Sequence, residues 1–110
     1  MNNDKTRLNC ILEIDTTTLA NIKDKFSFIE CIAEFLFKKD MYMTVPTLVA
    51  LLNDFGHKTD YGSEYAGERG SYRLVRAAYD RMAEKHGEYF ANKLAGVFRT
   101  PDNRYAYEVD

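Results

Sequence analysis

The sequence predicts one mainly helical α+β domain with a C-terminal β-hairpin and an N-terminal strand. Three observations carry that expectation. FSFIECIAEFLFKK, residues 26–39, is apolar around most of a helical wheel. TVPTLVALLNDFG and SYRLVRAAYDRMAEK each place apolar residues at helical spacing behind a Thr or a Ser. RTPDNRYAY, residues 99–107, sets Pro-Asp-Asn between segments suited to pairing.

A chain of 110 residues supplies mass for one core and one domain. Its 45% hydrophobic and 14% aromatic content marks a folded globular chain. The aromatics are eight Tyr and seven Phe, with no Trp. A formal charge of −2 and a pI near 5.7 argue against a non-specific nucleic-acid coat and against a basic membrane binder. Charge is unevenly spread. Residues 57–86 hold six Lys and Arg against five Asp and Glu, whereas residues 1–56 hold six against eight. The N-terminus lacks a signal-peptide pattern, and no apolar run reaches the ~18 residues that a membrane span needs. Cys10 and Cys31 lie in apolar segments, where Cys behaves as a small buried hydrophobe. The expected location is cytoplasmic.

Residues 1–6 are polar and expected to fray. Arg7–Asp15 alternates Leu8, Cys10, Leu12 and Ile14 with other residues, the period of a strand. Thr16-Thr17-Thr18 precedes Leu19–Lys23 and is expected to cap a brief helical turn. Phe26–Lys39 is the clearest helix. Ser27 and Glu30 fit a capping box, and Phe26 and Cys31 a hydrophobic staple. Only Glu30, Glu34 and Lys38 make a polar stripe, so this is expected to be the core helix, buried on most of its circumference; the alternative is that part of its face buries a second copy in a homodimer.

Met41-Tyr42-Met43 is expected to be a short strand. Thr44 then caps a helix that tolerates Pro46 in its first turn, buries Leu48, Leu51, Leu52 and Phe55, and ends at Gly56. His57–Gly70 is expected to be an ordered loop. Ser71 caps the next helix, which runs to Lys85, with Leu74, Val75, Ala78 and Met82 inward and Arg73, Arg76 and Asp80 outward. After Gly87, Tyr89–Phe98 is expected to be helical with Phe90, Leu94, Val97 and Phe98 inward. In the terminal hairpin, Asn103 is suited to the left-handed conformation that closes the bend.

FLFKKDMYMTVPTLVALLNDFG, followed by a further helix and a hairpin, resembles the winged helix-turn-helix domains of small bacterial and phage regulators. The resemblance covers roughly residues 26–110 and rests on element order. It implies a winged-helix-like fold, transcription regulation, and a recognition helix at Ser71–Lys85. Arg73 and Arg76 would then reach base edges, Tyr72 and Tyr79 would flank them, and Arg69 would stand just before the helix. Arg99 and Arg104 on the hairpin would reach phosphates or the minor groove. DNA is the partner this implies. The plainer reading of the same face is a solvated helix on which Arg76 pairs with Asp80 four residues on.

A second function class fits the same stretch. The Tyr- and Arg-rich 57–81 surface has the residue types enriched at protein interfaces, as in a phage- or plasmid-type inhibitor or adaptor. Gly67-Glu68-Arg69-Gly70-Ser71, ahead of a helix, also has the form of an anion cradle, and its GxxG resembles the loop of KH domains. Enzymatic signals are poor. His57 and His86 read as single histidines in polar loops, with no HExxH, CxxC or GxSxG. Asp60 and Glu64 near His57 have no nucleophile beside them, and the two Cys and two His match no zinc spacing. No enzyme activity, cofactor or metal is expected.

Overall fold

The computed structural model describes residues 16–59, 61–65 and 69–109. The strand expected at Arg7–Asp15, with Cys10, lies outside the described residues, as do Gly67, Glu68 and the side chain of Arg69. Among the described residues, five helices and two short strands follow in order. They are α1 (Thr16–Asn21), α2 (Lys25–Lys38), β1 (Met43–Thr44), α3 (Val45–Asp54), α4 (Arg69–His86), α5 (Glu88–Ala95) and β2 (Phe98–Arg99). A 3-10 turn at Ala106–Glu108 closes the chain. The fold is mainly helical, with one small parallel sheet. Among the described residues, no helix is long and apolar enough to cross a membrane.

The Thr triplet does not stand ahead of its helix; α1 begins at Thr16 and contains all three. At α2 the cap also moves. Asp24 is the N-cap, and its carboxylate accepts from both the Ser27 amide and the Ser27 hydroxyl at 3.0 Å. Burial pushes the Asp24 carboxyl up, but the two Ser27 donors, the charge of Arg81 and the Phe26 amide together hold it below its usual range. Glu30, assigned from sequence to a capping box with Ser27, instead reaches α4, where Lys85 and His86 lie 3.4 and 3.1 Å from it. An acid one turn into a helix can serve the cap or a neighbouring helix, and here Lys85 and His86 at the far end of α4 take it.

Two helices stop by the same device. After α2, the Met41 amide donates to Leu36 O (2.9 Å) and the Asp40 amide to Phe37 O (3.1 Å), with Asp40 at φ 56°. After α3, the His57 amide donates to Leu52 O (2.9 Å) and the Gly56 amide to Asn53 O (3.0 Å), with Gly56 at φ 81°. Both are Schellman closures, in which the second residue past the cap folds back onto the last turn. Thr44 does occupy the N-cap of α3, but its hydroxyl meets the Thr47 hydroxyl at 3.1 Å and no helix amide.

The core joins α2 (Phe28, Ile29, Ile32, Leu36), α3 (Leu48, Leu52), α4 (Leu74, Val75, Ala78, Met82) and α5 (Ala91, Leu94). The expected inner faces of α3 and α4 are buried as read, apart from half-buried Phe55. Cys31 and Phe35 are only half-buried and Phe37 is 44% exposed, so α2 is less enclosed than its composition predicts. Burial raises the Cys31 thiol, with Glu34 and Glu30 adding to the effect.

The C-terminal third departs furthest from the expected pattern. The helix after Gly87 ends at Ala95, not Phe98, and Phe90 is exposed rather than inward. Phe98 instead leads β2, which pairs in parallel with β1 in the register Met43↔Phe98 and Thr44↔Arg99. The strand expected at 41–43 is thereby shifted to Met43–Thr44. The terminal hairpin shrinks to a single antiparallel bridge, Arg99↔Tyr105, around a turn in which the Asn103 amide donates to Thr100 O at 2.9 Å. Asn103 does take positive φ, 70°. Ala106 and Tyr107 are both buried, and consecutive buried residues cannot belong to a half-exposed strand, whose side chains alternate between faces. The 3-10 turn lets both face inward against α4.

Candidate functional site

α4 presents the expected outer face. Arg73, Arg76 and Asp80 are exposed along it. Arg76 Nε lies 3.2 Å from Asp80 Oδ1, so the pairing that a plain solvated face predicts does form. Both partners are more than half exposed, which keeps such a pair within tenths of a kcal/mol, roughly 0.3–0.5. The guanidinium of Arg73 has no hydrogen bond or ion pair among the described residues, so it is the least committed of the predicted cations.

Ser71 is a correction. It does not cap α4, which begins two residues earlier at Arg69, and it is 2% exposed within the first turn. It also lines the groove between α2 and α4. Tyr72 is half-buried against the core. Arg104 is exposed, with its Nε 3.0 Å from Asp102 Oδ2. Hydrogen bonding from the Thr100 hydroxyl, then the charge of Arg104, holds the Asp102 carboxyl below its usual range.

Tertiary packing adds a relationship between Arg76 and Arg99. The Arg76 guanidinium lies 5.2 Å from the ring of Tyr79. Tyr79 stacks on Tyr107 at 4.5 Å and 4° between planes, and Tyr107 meets Tyr105 at 5.6 Å. Arg99 then sits between Tyr105 (4.5 Å) and Tyr42 (4.2 Å). The result is a continuous ladder, Arg76–Tyr79–Tyr107–Tyr105–Arg99–Tyr42, from the outer side of α4 to the chain entering β1. Hydrogen bonds fix its rungs. Arg76 Nη1 donates to Tyr107 O at 3.4 Å, and the Tyr107 hydroxyl donates to Asn92 Oδ1 at 3.2 Å. Arg99 donates from Nε to Gly96 O (2.7 Å) and from Nη1 to Asn103 Oδ1 (3.1 Å). Burial, and then the charge of Glu108, pushes the Tyr107 phenol up. Gly96 is required by the backbone of α5 itself, because a Cβ there would stand 2.7 Å from Asn92 O; its contact with the Tyr105 ring, at 3.4 Å, is close but tolerable.

Two concave surfaces flank this ladder and α4. One is an open groove of about 760 Å³ between the start of α2, the 59–65 loop and α4, lined by Lys25, Phe26, Tyr61, Tyr65, Arg73 and Arg81 among others. Arg81 covers the Phe26 ring at 4.1 Å, and Tyr61 is 96% exposed. The other is a cleft of about 520 Å³ where the end of α2, the chain before β1, α5 and the 99–105 turn meet.

His57 is a loop residue as read, but a buried one, and His86 belongs to a helix. His86 ends α4 on Glu30. His57 is 8% exposed, its ring 4.6 Å from that of Phe28, and its Nε2 is enclosed without a hydrogen-bond partner. A signal for this was present in the sequence. Gly56 at the helix stop places His57 where a Schellman closure commonly makes an apolar contact. Among the described residues, no three His, Cys, Asp or Glu side chains converge as a metal site. No family model, curated protein or solved structure matches this chain.

Proposed function

We propose that this chain is a small, non-catalytic DNA-binding regulatory protein that reads duplex DNA with α4, in a winged-helix-like manner. The observation that carries this reading is the ladder from Arg76 to Arg99. It joins the outer side of α4 to the 99–105 turn in one rigid surface, and a helix flanked by a backbone-contacting turn is what groove reading requires. Arg73, uncommitted on the first half of α4, suits base-edge contact. Arg104 suits phosphate contact from the turn, after exchanging Asp102 for a stronger anion. A homodimer would double the contacts, and the part of α2 left for it comprises half-buried Cys31 and Phe35 and exposed Phe37.

The test is retention of random genomic duplex fragments by wild-type protein across a salt series. Retention that falls steeply with salt is expected. A protein that holds no duplex at low salt ends this reading.

One observation favours a second reading, a protein-interaction module. The groove beside α4 gathers Phe26, Tyr61, Tyr65, Arg73 and Arg81, residue types that anchor protein partners. Partner capture that depends on Tyr61 and Arg81, in a protein that retains no DNA, would favour this reading over the first.

A further inference from the structure

Six large hydrophobic side chains are exposed among the described residues, and four of them, Phe37, Tyr42, Tyr89 and Tyr105, line the 520 Å³ cleft. Exposed rings gathered at one place call for an occupant. The cations there indicate its charge. Lys93 lies over the Tyr89 ring at 4.8 Å, and Arg99 lies between Tyr42 and Tyr105. Asp40 is the one carboxylate in the lining.

Arg99 is held for this purpose. Two of a guanidinium's five N–H donors are taken by Gly96 O and Asn103 Oδ1, and the rings of Tyr42 and Tyr105 both pack against it. The remaining donors belong to a cation fixed in place and half-buried, so little side-chain entropy is lost when an anion binds it. Asn92 accepts from Tyr107 through its Oδ1, which leaves its amide N–H groups for a polar edge.

We propose that this cleft takes an unpaired nucleotide of a nucleic-acid strand, with the base stacked against the exposed rings and the phosphate held by Arg99 and Lys93. The proposal rests on the nucleic-acid reading above and adds a single-strand contact to it. Ring faces beside cations match a base beside a phosphate. A base inside a duplex is covered on both faces by its neighbours, so only an unpaired one can offer its face to a side chain. A cleft of this volume falls within the range of small-ligand pockets, about 300–1,000 Å³. The ladder joins it to α4, so the single-strand contact would sit beside the duplex contact.

The test measures anisotropy of a fluorescein-labelled oligothymidylate of roughly 12 nucleotides, a length within the span of known single-strand sites. A mixed-sequence duplex is measured in parallel. The variants are Tyr89→Leu and Lys93→Gln, both at exposed positions on α5 outside the ladder. Wild type is expected to bind the oligothymidylate. Tyr89→Leu should weaken that binding about 5- to 100-fold, Lys93→Gln should reduce its salt dependence, and duplex retention should be unchanged. Duplex retention without oligothymidylate binding overturns the cleft proposal and leaves the reading of α4 intact. Oligothymidylate binding indifferent to both variants also overturns it. A labelled Glu- and Phe-rich peptide serves as the competing probe; if it binds in a Tyr89-dependent way and the oligothymidylate does not bind, the cleft is a peptide site and the proposal is wrong. Loss of both DNA ligands in wild type removes this proposal together with the reading it rests on.

Discussion

The side chain of Asn53 binds the backbone of Tyr65 in both directions. Its Nδ2 donates to Tyr65 O at 3.0 Å, and its Oδ1 accepts from the Tyr65 amide at 2.9 Å. The last turn of α3 thus holds the far side of the connection to α4 much as a neighbouring strand would. Within that connection the Thr59 amide donates to Ser63 O and the Gly62 amide to Thr59 O, both at 2.9 Å. The Tyr65 hydroxyl donates to Lys58 O at 3.0 Å. One amide side chain therefore holds Tyr65 against α3, on the wall of the groove that contains Arg73.

Asn53→Ala should remove both bonds and leave the Tyr65 amide and carbonyl without these partners. The expected cost is about 1–3 kcal/mol in denaturant unfolding, with faster hydrogen exchange at the Tyr65 amide. An unchanged exchange rate there would show that the loop is held by something else.

Leu36 and Phe37 are neighbours in α2, and only tertiary structure separates them. Leu36 is fully buried and Phe37 is 44% exposed. Leu36→Ala should cost about 2–5 kcal/mol, and Phe37→Ala within about 0.5. Equal costs in chemical denaturation would mean that the rotation of α2 is misassigned.

His57 makes stability depend on pH. Burial is the main cause that lowers its pKa below the ordinary 6.5; Asp24 opposes that shift, and Lys25 and Lys23 reinforce it. The unfolded chain therefore takes up a proton first as pH falls. Stability should be full above 6.5 and decline as pH drops from there towards the depressed native value. His57→Phe keeps a ring against Phe28 and should flatten that part of the profile. A wild-type curve parallel to the variant's between about pH 7 and 5 would count against this account.

The arginines separate two kinds of contact. Arg73→Ala should cost about 1–3 kcal/mol in duplex affinity and relax preference at one base pair. Arg104→Ala should weaken all duplexes alike and reduce the salt slope by about one unit. Arg76→Ala should have the smaller effect of the two α4 variants, because Asp80 already partners its guanidinium. If duplex binds and all three variants match wild type, the reading surface lies elsewhere.

Near neighbours along the chain settle one part of this structure. Leu74, Val75, Ala78 and Met82 repeat at helical spacing, and that alone fixes which side of α4 is buried. Gly56 and Asn103 stand where the backbone must take positive φ, so α3 stops at one and the turn closes at the other. Arg73 and Arg76 were legible as outward cations for the same reason. Contacts between residues far apart in the chain settle the other part. Met43 pairs with Phe98, which turns a segment read as helical into a parallel strand. Glu30 leaves a local cap for Lys85 and His86, and His57 enters the core beside Phe28. Tyr42, Tyr79 and the pair Tyr105 and Tyr107 come from three separate places in the chain's course yet meet in one ladder with Arg76 and Arg99. Periodicity reports which way a side chain faces within its own element. What it then touches is set by how the elements pack, because the same buried position can be satisfied by many different neighbours.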